Sequence, residues 1–204
     1  MLPVKHTGSP VFKLNLPATC AKCHANTNIT EQYHIENQTA ASHYLDSIHG
    51  QALIKKGLIV APSCADCHGV HNILRSQDKG ASISHQNIAK TCGTCHLKVE
   101  EIYEKSVHGK ILAQGDKHGP VCTDCHTAHG IETPQNGHFK MMSDQRCGKC
   151  HQDRLEHYRD TYHGKAMALG KPNIAADVAA CYDCHGHHDV LPQSDPASRL
   201  SKTN

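Results

Sequence analysis

Every one of the twelve cysteines in this chain belongs to a C-x-x-C-H motif, and there are six such motifs. They read C-A-K-C-H (Cys20, Cys23, His24), C-A-D-C-H (Cys64, Cys67, His68), C-G-T-C-H (Cys92, Cys95, His96), C-T-D-C-H (Cys122, Cys125, His126), C-G-K-C-H (Cys147, Cys150, His151) and C-Y-D-C-H (Cys181, Cys184, His185). This spacing is the attachment signature of c-type haem. Two thiols add across the vinyl groups of one macrocycle, and the adjoining histidine binds its iron from one face. Histidine is 20 of 204 residues, so chance would set one behind all six motifs about once in a million. Four-cysteine zinc sites would leave those six histidines unexplained. A thioredoxin-like dithiol needs one such pair in a βαβ setting, and a disulfide framework does not call for an invariant spacing of two. Six covalent haem c groups are therefore expected, with His24, His68, His96, His126, His151 and His185 as proximal iron ligands.

Composition points the same way. There is no Trp, there are two Phe, and the hydrophobic share is 38%, too little bulky apolar surface to offset the chain entropy of a domain this long. Dividing 204 residues by six haems leaves 34 residues each, so the haem chain is expected to form the core. A formal charge of +2 gives no reason to expect nucleic acid. The longest apolar run, Gly57 to Pro62, is far short of the ~20 residues of a membrane span. The opening residues Met1 to His6 lack a secretory apolar segment. Covalent haem attachment in such a chain is extracytoplasmic, which predicts an export signal that was removed and replaced by methionine, or a segment of a longer protein.

Self-similarity divides the chain into three copies of a two-haem unit at about 18–75, 90–133 and 145–192, followed by a tail at 193–204. Each even motif carries Asp before its second cysteine and a further histidine three places after its first: His71, His129 and His188. Each odd motif is followed by a Tyr-x-x-Ser/Thr-x-His-Gly segment: Tyr44 to Gly50, Tyr103 to Gly109 and Tyr158 to Gly164. The first copy has an insert, Ile35 to Ser42, ahead of its tyrosine. Helices are predicted over Lys98 to Val107 and Asp153 to Tyr162, ending at the glycine that follows the histidine. The expected fold is mainly α and loop-rich with little strand, a single domain over 1–204, with the tail ordered only by contact.

Six irons need six more ligands, and six histidines recur in register: His49, His108 and His163 before the glycines, and His71, His129 and His188 after the even motifs. His85 and His138 are the reserves, and Met141, Met142 and Met167 are set aside because histidine is abundant. Residues three apart on a helical turn face the same way, so each +3 histidine is expected on a haem other than its neighbour's. For His129 the expected partner is the iron of His96, and His108 is expected to serve the even haem or one in the next unit. Gly50, Gly109 and Gly164 are read as allowing close haem approach, and Tyr44, Tyr103 and Tyr158 as packing on porphyrin edges.

With these motifs, C-x-D-C-H-x-x-H and Ser/Thr-x-His-Gly, the chain resembles the multihaem c-type cytochromes of bacteria and archaea, a group that includes cell-surface and filament-forming members. The resemblance implies a hexahaem cytochrome with bis-histidine irons that relays electrons in the periplasm or at the cell surface, possible self-association into conductive filaments, and redox proteins or extracellular acceptors as partners. It implies no catalytic residue. The alternative is a reductase of nitrite, hydroxylamine or a sulfur oxyanion with one open haem; the absence of a C-x-x-C-K variant counts against it.

Overall fold

The structure is a computed structural model that describes residues 2–35, 37–135, 137–170 and 172–202. Among these the regular structure is helical and no strand occurs. No helix among the described residues is long and apolar enough to cross a membrane.

The chain forms two compact units, Met1–Asn87 with His126–Glu132, and Ile88–Cys125 with Thr133–Asn204. The first unit thus takes a seven-residue segment from the middle of the chain. It holds α1 (Leu16–His24), α2 (Thr27–Gln32), α3 (Ala40–Asp46), α4 (Ile48–Gly50), a π-helical turn at Gln51–Lys55, and α5 (Cys64–His68). The borrowed segment is tied in through Ile48, whose N–H donates to the Ile131 carbonyl at 2.9 Å. The second unit holds α6 (Ile88–Gly93), α7 (Leu97–Lys105), α8 (Val107–Ala113), α9 (Cys122–His126, whose last residue belongs to the first unit), α10 (Gly137–Gly148), α11 (Gln152–Asp160), α12 (Tyr162–Leu169), α13 (Pro172–Ala175) and α14 (Cys181–His185).

The predicted helices are present as α7 and α11, but they stop at Lys105 and Asp160 rather than at the glycines. The reason is the hydroxyl residue that follows. Ser106 and Thr161 adopt extended backbone, and each side chain accepts from the N–H of the glycine three places on, at 3.1 Å in both cases. That is N-cap geometry, which satisfies an orphan donor of a new helix. Ser47 caps α4 in the same way. Each glycine therefore sits in the first turn of the second helix. A Cβ on Gly50, Gly109 or Gly164 would collide with the carbonyl of Tyr44, Tyr103 or Tyr158. Glycine here serves the approach of two backbones, which corrects its reading as a helix stop. The tyrosines have a shared contact too. Tyr44, Tyr103 and Tyr158 donate their hydroxyls to the carbonyls of Pro62, Pro120 and Ala179 at 2.7, 2.7 and 2.8 Å, pinning each helix to the strand of chain that enters the next even motif.

The stretch ahead of two odd motifs is a ladder of three-residue turns. N–H groups of His6, Ser9, Phe12 and Asn15 donate to the carbonyls three residues back, as do those of Asp78, Ala81, Ser84 and Asn87. Asn15 closes its ladder on the carbonyls of Thr7 and Ser9, and Asn87 closes on Lys79 and Ala81. The tail repeats the pattern at Asp195, Ser198 and Ser201, so it has local order of its own.

The apolar interior is small. In the second unit Tyr103, Leu112 and Val121 gather with Ala89, and Met167 gathers with Ala175 and Ala180.

Candidate metal centres

The odd and even motifs sit on different scaffolds. The even ones are single helical turns, α5, α9 and α14, each opened by an aspartate at the third position. Asp66, Asp124 and Asp183 accept from the backbone N–H of Ser63, Val121 and Ala180, all at 2.7 Å. Carboxylates at this place satisfy a free donor and favour the helix dipole. Burial works against the Asp66 charge, but bonds from Ser63 and the Lys13 ammonium outweigh it and hold its pKa below the usual value.

The first cysteines of consecutive motifs meet in pairs. Cys20 lies within hydrogen-bonding reach of Cys64, Cys92 of Cys122, and Cys147 of Cys181. Burial and then Cys20 push the Cys64 thiol up to about 12. In the third pair the Cys147 thiol is raised by its bond to Cys181, while Cys181 is drawn down to about 7 by that same bond. Among the described residues no group of three or more His, Cys, Asp or Glu side chains converges as a tetrahedral zinc site requires.

After each even motif the chain turns sharply. Gly69 and Gly186 have φ of +81° and +86° with ψ near 180°, a region open to glycine alone. Thr127 takes the corresponding place with φ +64°. The helix therefore ends at the motif histidine, and the +3 histidine is not on the same helical turn, as the sequence argument had it. The left-handed residue is what sends it elsewhere.

For His129 that destination is His68. The two rings are 6.0 Å apart between centres and 2° from parallel. The His108 and His151 rings are 6.4 Å apart and inclined by 37°. Metal–imidazole bonds of about 2 Å on each side of one ion separate the ring centres by roughly 6 Å, so both pairs have the spacing of two axial ligands. His129 thus faces the even motif of the first copy rather than His96. His96 instead is near enough to His188 to contribute to its lowered pKa. His108 faces the odd motif of the third copy. Burial, and then a neighbouring imidazole, holds the pKa of His68, His108 and His129 below the ordinary value. For His68 that neighbour is His24, and His24 and His43 also act on His129. His188 is lowered by burial and His187, with Asp189 opposing.

The other predicted ligands differ in their exposure. His49 is half-buried in α4, one residue before Gly50. His71 and His185 are exposed, and so is His163, whose ring stands edge-on to Tyr162 at 6.2 Å. His126 is half-buried at the end of α9. Of the reserves, His85 has a buried Nδ1 with no hydrogen-bond partner, and His138 lies in the first turn of α10. Asn37 is a residue that sequence reasoning missed: its side-chain amide lies 3.3 Å from Nδ1 of His129.

Covalent haem fits these residues. The sulfurs and imidazoles are the donor set that haem c requires, and two imidazole pairs already stand at the right separation. The chain also exposes 13773 Å², where a folded monomer of 22.3 kDa should expose about 9,400 Å². Large apolar side chains share in the surplus: Val60, Tyr162 and Leu169 are 74%, 85% and 88% exposed. Flat apolar macrocycles are the kind of body such a surface would cover.

No protein-family model, no curated protein and no solved structure matches this chain.

Proposed function

We propose that the protein is a hexahaem c-type cytochrome that relays electrons in the periplasm or at the cell surface, built as three copies of a two-haem unit. The observation that carries this reading is the facing pair His68 and His129. Two imidazoles from motifs more than fifty residues apart meet with nearly parallel rings at the separation of axial ligands. The haems would supply one-electron Fe(III)/Fe(II) couples whose potential is lowered by histidine at both axial places.

Everything else falls to the chain. The twelve cysteines anchor the groups, and the pairing of first cysteines within each copy brings two attachment points together, which supports a close haem pair per copy. The wiring between copies runs through the distal histidines. His129 and His108 both belong to the second copy, and they reach toward His68 in the first and His151 in the third. At His68–His129 and His108–His151 an imidazole on each side would leave no open coordination place for a substrate, which favours electron relay over a reductase. The Ser/Thr caps, the tyrosine hydroxyl bonds and the aspartate caps fix the helices that carry these ligands, so little would move when an electron arrives.

The test is intact-mass measurement of denatured protein matured in a host that attaches haem c. Six haem additions and no free thiol are expected. Five or fewer in fully matured protein would mean that at least one motif is not an attachment site.

A further inference from the structure

We propose that Asn37 is a positioning residue for His129, holding its imidazole through Nδ1 at the head of a hydrogen-bond chain that runs His129, Asn37, Thr39, His43. The proposal rests on His129 being a distal axial ligand. The Asn37 amide is 3.3 Å from His129 Nδ1, Thr39 Oγ1 is 3.3 Å from the other end of that amide, and the same hydroxyl is 3.4 Å from His43 Nδ1. All four residues belong to the first unit. Asn37, His43 and His129 line one open cavity, together with Thr127, Asp46 and Glu132.

The chain of donors and acceptors works in both directions. A metal-free His129 can accept at Nδ1 from the Asn37 NH₂ group, while the Thr39 hydroxyl donates to the Asn37 carbonyl oxygen. An imidazole that binds metal through Nε2 carries its proton on Nδ1 and must donate there. A half-turn of the carboxamide meets that need. Its oxygen then accepts from Nδ1, its NH₂ donates to Thr39 Oγ1, and the Thr39 hydroxyl donates to His43 Nδ1. No donor faces a donor in either state.

The source of Asn37 is informative. From motif histidine to tyrosine the chain runs 44 − 24 = 20 residues in the first copy, against 103 − 96 = 7 and 158 − 151 = 7 in the others. The extra length carries Asn37 and Thr39. The insert is therefore the source of this distal ligand's amide partner. A hydrogen bond accepted from Nδ1–H raises the ligand's basicity and favours the more positive iron, so it would lower the potential of the couple served by His68 and His129.

The experiment is a spectroelectrochemical titration of the holoprotein with Asn37→Leu, Asn37→Asp and His129→Met compared with wild type. Asn37 is exposed, so its variants should keep all six haems by mass. Asn37→Leu should move one couple upward by about tenfold in the Fe(II)/Fe(III) ratio, ~59 mV for one electron. Asn37→Asp should move the same couple downward, and it should be the couple that His129→Met displaces. Six haems with every couple unmoved in Asn37→Leu, or a moved couple different from that of His129→Met, overturns the assignment of Asn37 alone. If His129→Met leaves all six couples in place, the reading of His129 as a ligand falls and the proposal falls with it.

Discussion

Replacing Gly109 by alanine gives a test in which the sign decides. In an ordinary exposed helix the change stabilises by about 1 kcal/mol, because alanine loses less backbone entropy than glycine. Here the new Cβ would stand 2.7 Å from Glu104 Cα and 2.8 Å from Tyr103 C, and nearer still to the Tyr103 carbonyl oxygen. Ordinary contact begins at 3.4 Å, so α8 must retreat by at least 3.4 − 2.7 = 0.7 Å, and the obstacles are backbone atoms that cannot rotate away. Overpacking of this kind costs ~1–3 kcal/mol. The retreat also stretches the Ser106 cap, whose loss costs about 1 kcal/mol. After the helix-propensity gain is subtracted, a net loss of about 2 kcal/mol is expected. His108 is the next residue, so the retreat also pulls it from His151. Guanidinium unfolding of the holoprotein should show a lower midpoint at unchanged slope, and the reduced protein should gain carbon monoxide binding at one haem. Lys110→Ala, exposed in the same helix, should change the midpoint little. A Gly109→Ala protein as stable as Lys110→Ala, with no new carbon monoxide binding, would refute the close-approach argument.

His129→Ala and His68→Ala should each open one haem to carbon monoxide, and the double variant should open one rather than two, because both residues face the same position; His129→Ala with His96→Ala should open two. Tyr103→Phe removes the bond to the Pro120 carbonyl and should lower stability by about 1–2 kcal/mol in denaturant titration, without altering haem content or spin state.

The helices after the second and third odd motifs were legible because Leu97–Lys105 and Gln152–Asp160 are rich in Lys, Glu, Arg and Leu. Their ends were not, because Ser106 and Thr161 read as mid-helix residues until the chain is seen to turn. The signal was present: a hydroxyl residue followed three places later by glycine, in all three copies. The backbone crowding at the glycines was not legible, because it comes from a carbonyl six residues upstream, which no linear spacing reveals. The +3 histidines were placed on a helical turn for want of weight on Gly69 and Gly186, which directly follow their motifs and end the helix. The turn ladders escaped notice because a period of three among small polar residues matches neither helix nor strand. Their mark was an asparagine five places before the cysteine, Asn15 before Cys20 and Asn87 before Cys92. The pairing of His129 with His68 was beyond sequence reasoning, since it depends on a segment of the second copy folding into the first unit.

The claim that all irons are held by two imidazoles is tested most directly by electron paramagnetic resonance of the oxidised, native holoprotein with quantitative spin integration. Six low-spin ferric centres per chain are predicted, with no high-spin signal and complete loss of the spectrum on reduction. A high-spin ferric signal integrating to one or more irons would contradict the account and point to a haem with an open coordination place.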